Sequence, residues 1–157
     1  YSSPYIDISN RIYLKSVIAE DCTATLYGGF LVAEKGWITV DLSSFDQSAS
    51  LQNGAGFRLV DQSSSIMRSN FTSTQGAALT MSGSSVSLTD VHFIHGESLN
   101  SAACISIEDS GSVNAQNCLF IRNSGRYGGA IGIGGDSEFI GVGCTFEDNT
   151  ASQHGGA

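Results

Sequence analysis

Carboxylates are the side chains of this sequence that offer the clearest route to chemistry. Five aspartates fall outside its apolar pattern, namely Asp41, Asp61, Asp90, Asp109 and Asp136. Two carboxylates about 6.5 to 9.5 Å apart would suit an inverting glycosidase. These five stand at differing offsets within a repeat of the chain, so we do not expect them to converge. A solvated acidic surface is the better interpretation, and we predict no enzymatic activity and no cofactor.

Two histidines form a second arrangement that resembles a site. His92 and His95 are three residues apart, and Glu97 follows closely. On a helix this spacing would favour a metal site. His92, however, lies between the apolar residues Val91 and Phe93, so it points outward from a strand, and His95 lies in the bend beyond. We therefore predict two surface histidines and no metal site.

The four cysteines divide into one pair and two single residues. Cys118 and Cys144 occupy equivalent positions of two successive repeats. If the repeats stack, their Cα atoms lie about 4.8 Å apart, which is within disulfide range. A disulfide and a pair of buried thiols fit equally well. Cys22 and Cys104 lie too many turns apart to pair, so each is either a free thiol or an intermolecular link at an interface.

One sequon for N-glycosylation is present, Asn70-Phe-Thr72. Phe71 belongs to the apolar pattern, so Asn70 points outward, as a glycan requires. Either Asn70 carries a glycan when a eukaryotic cell secretes the chain, or the sequon is a chance match in a chain rich in serine and threonine.

A sequence repeat runs through the whole chain. Its clearest copies are Cys118-Leu-Phe-Ile-Arg-Asn123 and Cys144-Thr-Phe-Glu-Asp-Asn149. A small-residue triplet follows each copy and has weaker counterparts upstream; the triplets begin at Ser3, Gly28, Gly54, Gly76, Ala102, Gly128 and Gly155. A second series of equivalent residues consists of Ala19, Phe45, Phe71, Phe93, Phe120 and Phe146. In both series one spacing, the third, is shorter than the others, at 22 residues. Two independent series that shorten together indicate a genuine repeat.

Apolar residues recur at six fixed offsets in this repeat. Of the 36 positions, 32 are apolar when Ala and Cys are counted, and none is charged. The offsets come in pairs two residues apart, which is the period of a β-strand. Three pairs per repeat predict three short strands per turn and three short parallel sheets around an apolar core. We therefore predict an all-β fold, a right-handed parallel β-helix (a solenoid) of about six turns of 22–27 residues, with 1–157 as a single domain.

Stacked turns also predict ladders of like residues. The phenylalanine anchors predict a stack of aromatic rings in the core. Asn123 and Asn149 predict a short ladder at a bend, because asparagine tolerates left-handed backbone. The third residue of each triplet, Cys104 among them, is predicted to face outward on a surface of small residues. Such a surface either admits a close partner or reflects bends that demand small residues.

Two motifs recur near the end of the chain. F-x-x-N stands at Phe120–Asn123 and Phe146–Asn149, and G-G-A followed by an aliphatic residue stands at Gly128–Ile131 and, in part, at Gly155–Ala157. These motifs resemble the repeats of the chlamydial polymorphic outer-membrane proteins over about the last quarter of the chain. The resemblance implies a secreted or surface-displayed right-handed β-helix that is adhesive and has no catalytic activity.

Charge and hydropathy argue against two classes of partner. The chain has 15 acidic and 7 basic residues, a net charge of −8, so we expect no binding to nucleic acid or to an anionic membrane. No apolar run approaches the roughly 20 residues of a transmembrane segment. The chain opens on a strand-like segment and closes on the start of a further turn. We expect either a segment of a longer solenoid, uncapped at its C-terminal end, or subunits that stack end to end, with Tyr1, Tyr5 and Ala157 at the contact.

These observations support two hypotheses of different classes. The first is a non-enzymatic structural or adhesive β-helix, extracellular or on the cell surface. It would associate with itself, end to end or laterally, or with glycans or host cell-surface proteins. The alternative is a polysaccharide-acting or glycan-binding protein of the same fold. Uncapped ends with contacts between subunits favour the first hypothesis, and carboxylates grouped with a basic residue in a groove favour the second.

Overall fold

The computed structural model describes residues 5–7, 11–26, 28–50 and 55–155. This described part contains strands, single bridges, bends and irregular segments, and no helix. The strands are, in chain order, β1 (Tyr5–Asp7), β2 (Arg11–Lys15), β3 (Ile18–Glu20), β4 (Thr23–Ala24), β5 (Leu31–Asp41), β6 (Ser44–Asp46), β7 (Ala49–Ser50), β8 (Phe57–Met67), β9 (Asn70–Thr72), β10 (Leu79–Ser82), β11 (Ser85–Thr89), β12 (His92–Ile94), β13 (Ile105–Glu108), β14 (Ser112–Gln116), β15 (Leu119–Ile121), β16 (Ser124–Tyr127), β17 (Ile131–Ile133), β18 (Glu138–Val142), β19 (Thr145–Glu147) and β20 (Thr150–His154).

All pairing between these strands is parallel, and it joins each strand to its equivalents one repeat away. One sheet has ten strands, one has six, and two have two strands each. The chain therefore winds as a parallel β-helix, and this confirms the predicted fold class. We call each repeat of the winding a rung; the six rungs begin at Tyr5, Leu31, Phe57, Leu79, Ile105 and Ile131. The five steps between them are about five complete turns.

The ten-stranded sheet contains two faces of the solenoid. The first face consists of β1, β10, β13, β17 and the first halves of β5 and β8. The second face consists of β2, β11, β14, β18 and the second halves of β5 and β8. The sequence predicted these two faces as separate sheets. β5 and β8 join them, because Lys35 (φ 57°) and Asp61 (φ 48°) turn the corner without ending the strand.

The third face is the six-stranded sheet β3-β6-β9-β12-β15-β19. A fourth, shorter face was not predicted. It consists of β4 paired with β7, β16 paired with β20, and single bridges through Gln75 and Glu97 between them. The short step of the repeat arises beside this face, since Gln75 and Leu79 are four residues apart whereas Ala49 and Phe57 are eight apart.

Phenylalanine rings stack along the core. Neighbouring centroids in the series Phe45, Phe71, Phe93, Phe120 and Phe146 are 4.6–5.1 Å apart, and neighbouring planes differ by 19° or less. Edge-on contacts come from Phe57 near one end and from Phe139 near the other. Offset stacks and edge contacts of this kind add about 0.5–1.5 kcal/mol each beyond burial.

At two of the corners, each rung turns on one residue with left-handed backbone. Ser16, Leu42, Arg68, Asp90, Asn117 and Gly143, with φ between 45° and 64°, stand between the second and third faces. Asp21, Gln47, Ser73, His95, Arg122 and Asp148, with φ between 50° and 57°, stand between the third and fourth faces. Asn123 and Asn149 form the predicted ladder at this bend, but the expectation that they are left-handed was wrong, because the residue before each of them makes the bend. That residue frees the asparagine side chain to turn inward.

Candidate functional site

The two asparagines of the repeat hold adjacent rungs together from inside. Asn123 is fully buried, and its Oδ1 accepts a hydrogen bond from the backbone N of Gly96 at 2.8 Å. Its Nδ2 donates to the carbonyl of Phe93 at 3.0 Å and to Oδ1 of Asn149 at 2.9 Å. Asn149 repeats the pattern and donates to the carbonyl of Phe120 at 2.8 Å. These amides satisfy backbone groups that the bend removes from the sheet.

The five aspartates considered as catalytic candidates lie at two corners, with Asp61, Asp109 and Asp136 between the first and second faces and Asp41 and Asp90 between the second and third faces. Asp61, Asp90 and Asp109 are themselves left-handed corner residues, and Asp136 is exposed. Asp41 is 3% exposed, and Arg68 binds both of its oxygens, with Nε–Oδ1 at 2.9 Å and Nη2–Oδ2 at 2.7 Å.

The three histidines have different surroundings and do not contact one another. His92 is half-buried on the outer side of the third face, in register with Asn70. His95 is an exposed corner residue with φ 57°. His154 stacks on Tyr127, with centroids 6.0 Å apart. Within the described part of the chain, no three of the His, Cys, Asp and Glu side chains are grouped so that they could hold a metal ion.

Cys118 and Cys144 lie in one inward column, beside the corner between the second and third faces, and both are free thiols in the structure. Each thiol donates to the carbonyl two residues before it, at 3.4 Å for Cys118 and 3.7 Å for Cys144. The hydroxyls of Ser43 and Ser69, in the same column, donate in the same way at 2.9 and 2.7 Å. Burial is the main cause that raises the pKa of Cys118 to about 11. The thiols therefore replace hydroxyl donors of the earlier rungs.

Cys104 was predicted to face outward, and this was wrong. It is 1% exposed and shares an inward column with Phe30, Ala78 and Ala130. The link from the fourth face to the first turns the third residue of the triplet into the core. Burial raises the pKa of the Cys104 thiol well above its usual range, so this residue is unavailable as an intermolecular link. Cys22 is half-buried, and its Sγ lies 3.6 Å from the carbonyl of Glu20.

The triplets are small because the bend is crowded. Ala55, Ala77 and Ala103 are completely buried. A Cβ added to Gly29 would collide with the carbonyl of Ala55. Of the two interpretations of these residues, the structure agrees with tight bends and not with a bare docking surface.

The remaining predicted residues are placed as follows. Asn70 is exposed in β9, and the Thr72 hydroxyl of its sequon donates to Oδ1 of Asp46 at 2.8 Å. Tyr5 lies in β1, in register with Val32. Tyr1 and Ala157 lie outside the described residues. No helix in the described part of the chain could span a membrane.

The outer surface of the second face carries three columns of side chains. The first is Arg11, Trp37, Ser63, Ser85, Ser112 and Glu138. The second is Tyr13, Thr39, Ser65, Ser87, Asn114 and Ile140, and the third is Lys15, Asp41, Met67, Thr89, Gln116 and Val142. Sequence reasoning missed this surface, because it followed only the inward positions of each strand.

Two further surfaces have a shape that could admit a partner. A groove of about 470 Å³ runs along the fourth face, and Gln75, Glu97 and Asn100 line it. At the end of rung 6, Phe139 and Phe146 belong to the lining of an apolar depression of about 410 Å³.

A family model described as "Right handed beta helix region" matches residues 28–157. Searches of curated proteins and of solved structures found no match.

Proposed function

The chain belongs to the right-handed β-helix family, and we propose that it is a non-enzymatic structural or adhesive module, extracellular or on the cell surface. Parallel ladders on all faces and a stack of aromatic rings make such a module stiff. Solenoids of this kind act through their faces and ends, because each rung contacts only its neighbours.

One observation carries this proposal: the core columns emerge uncovered at the end of rung 6. Ile133 is 55% exposed there and Phe146 is 40% exposed, whereas Phe93 and Phe120, in the same column as Phe146, are almost fully buried. Apolar surface of this kind indicates an interaction surface. A further rung, from more of the same chain or from a second copy, would continue each column.

The location outside the cell is supported by the repeat motifs. The F-x-x-N and G-G-A motifs resemble those of surface-displayed β-helix proteins. Expression through a eukaryotic secretory pathway, with Asn70→Gln as the matched variant, tests whether the chain is secreted and carries a glycan at Asn70. We expect the wild type to migrate more slowly in gels than the variant; equal mobility would contradict glycosylation at Asn70.

Electron microscopy of the purified protein tests the structural role. Six rungs give a rise of about 29 Å per copy, so stacked copies should show this axial repeat. Phe146→Asp should shorten or abolish such filaments, and Thr145→Asp, on the outer side of the same strand, should leave them intact. Cleavage of a polysaccharide by the purified chain would overturn the proposal, and so would monomeric rods that bind neither each other nor any cell surface.

A second candidate function is glycan binding, and the groove on the fourth face favours it. The groove follows the solenoid axis across four rungs, and hydroxyl, amide and carboxylate side chains line it. Such groups suit the hydroxyls of an extended sugar chain. Calorimetry against a panel of polysaccharides tests this function, with Gln75→Ala in the groove and Gln116→Ala on the second face as the control. Equal binding by both variants would exclude the groove.

A further inference from the structure

The outer surface of the second face has two unlike ends. At rungs 1 and 2 it presents cations and aromatic rings: Arg11 and Lys15 are exposed, Tyr13 is 61% exposed, and Trp37 is 57% exposed. Aromatic and arginine side chains are the types that carry most energy at protein interfaces. Their exposure on one flat sheet therefore indicates a contact surface.

The opposite end of this surface is acidic and aliphatic. At rung 6, Glu138 is exposed, Ile140 is 44% exposed, and Val142 is 60% exposed. A shallow groove of about 390 Å³ runs beside the two aliphatic residues, between the second and third columns, with Asn114 and Gln116 in its wall. Among the described residues, neither Arg11 nor Glu138 takes part in an ion pair.

Between these ends the outward side chains are short. Ser63, Ser65, Ser85 and Ser87 occupy the first two columns of rungs 3 and 4. Short side chains over two rungs allow a second sheet to approach to the usual distance of about 10 Å.

We propose that the second face pairs with the second face of another copy of this chain. The two-fold axis lies between the sheets and parallel to their strands, so the order of the rungs is reversed in the partner. Rung 1 then faces rung 6, and each column faces the same column. Arg11 meets Glu138, and Tyr13 meets Ile140 beside the groove. Ser65 meets Ser87 at the axis.

The charge distribution of the whole chain agrees with this pairing. Residues 1–68 contain five of the seven cations and seven of the fifteen acids, a net charge of −2, and residues 69–157 have a net charge of −6. Parallel side-by-side pairing would place the more acidic halves together. Reversed pairing places the less acidic half of each copy against the more acidic half of the other, which lowers the repulsion.

The size of the contact predicts a weak dimer. Six rungs and a five-residue strand give roughly 450 Å² per copy, well below the roughly 800 Å² per partner of a standard stable interface. We therefore expect a weak, reversible dimer. This inference names one partner surface for the proposed structural module, and it rests on that function. It concerns side-by-side association, whereas the filament test concerns the ends.

Sedimentation velocity and the fluorescence of Trp37, the single tryptophan of the chain, test the pairing. With rising concentration we expect a shift from monomer to dimer and a blue shift of the emission, as the Trp37 ring loses water. Ser87→Arg places a long charged side chain at the two-fold axis and should weaken dimerisation by tenfold or more. Ser44→Arg, on the outer side of the third face, is the matched control and should dimerise as the wild type does.

Charge reversal tests the geometry of the ends. Arg11→Glu and Glu138→Arg should each weaken dimerisation about tenfold, because each creates two like-charged contacts per dimer. The double variant, and an equimolar mixture of the two single variants, should recover wild-type affinity. Arg122→Glu, away from this face, is the charge control.

The Ser87→Arg result separates this inference from stacking of the ends, where Arg11 and Glu138 would also meet. Filaments that persist in Ser87→Arg while dimerisation is lost support both proposals. A wild type that stays monomeric up to about 1 mM, a Ser87→Arg variant that dimerises normally, or charge reversals that the mixture does not rescue would overturn the side-by-side pairing. None of these results would by itself refute the filament.

Discussion

Asn123 offers the sharpest test of how the rungs are held together. Asn123→Ala removes three hydrogen bonds, to the backbone N of Gly96, to the carbonyl of Phe93 and to Oδ1 of Asn149. The Gly96 N–H is then buried with no partner, which costs about 1–3 kcal/mol, and the other two bonds contribute about 0.5–1.5 kcal/mol each. We expect a loss of about 3 kcal/mol in the free energy of unfolding, or a fall in Tm of about 6–12 °C.

Two variants of the same residue type serve as references. Asn149→Ala also removes amide hydrogen bonds, but Asn149 is only half-buried, so water replaces part of what is lost and the cost should be about 1 kcal/mol. Asn114→Ala lies in the same repeat as Asn123 and is exposed on the second face, so its cost should stay within about 0.5 kcal/mol.

The assay combines far-UV circular dichroism with Trp37 fluorescence during guanidinium unfolding. Rungs contact only their neighbours, so a defect at rung 5 should loosen the last rungs first. In Asn123→Ala, the dichroism should therefore begin to fall before the emission of Trp37, which lies at rung 2, changes. The reasoning would be refuted if Asn123→Ala cost no more than Asn114→Ala, or if Asn149→Ala cost as much as Asn123→Ala.

Three further predictions concern the core, the thiols and the buried ion pair. Phe93→Ala should cost about 3–5 kcal/mol, and Phe146→Ala, at a ring that is 40% exposed, should cost less than half as much; equal losses of Tm would contradict the stack as the source of stability. Because Cys118 is completely buried and its pKa is raised from 9.0 to about 11, it should react with iodoacetamide at pH 8 at least about tenfold more slowly than an exposed, unperturbed thiol. The same shift stabilises the fold below pH 9, and this contribution is lost as the pH rises to about 11; a pH titration of unfolding in which Cys118→Ser loses stability as steeply as the wild type would contradict it. Arg68→Ala should cost about 1–3 kcal/mol, because Asp41 keeps a buried charge without its partner, and Arg68→Lys should recover part of that loss in the same denaturation assay.

The inward half of this protein was readable from the sequence. Alternation fixes which side chains of a strand point inward, and stacking repeats the same choice at every turn of the solenoid. Phe93 and Phe120 could therefore be assigned to one column without a structure. The same logic placed Cys118 and Cys144 in one column.

The corners were not readable, because many residue types occupy them. Leu42, Arg68 and Asp90 are left-handed residues at equivalent positions, and their side chains share no chemical property that would identify the position. The expected left-handed asparagines were wrong for this reason. A left-handed residue directly before Asn123 redirects its side chain into the core, where it bonds to the backbone.

The backbone conformation at a corner also decides whether the neighbouring side chains point inward or outward. Cys104 was assigned outward because strand alternation was extended through a bend, where alternation no longer holds. The fourth face was missed for a similar reason, since its strands are short and two of its rungs pair through single bridges at Gln75 and Glu97.

The sequence by itself determined the solenoid, its period and its apolar columns, because these follow from local alternation repeated along the chain. Only the tertiary structure decided which outward side chains share a surface. Arg11 and Glu138 are far apart in the sequence, and strand alternation says nothing about the surface they share. Stacking of the rungs brings them onto one face, at opposite ends, because the angle of each corner and the register of each step set where that face lies.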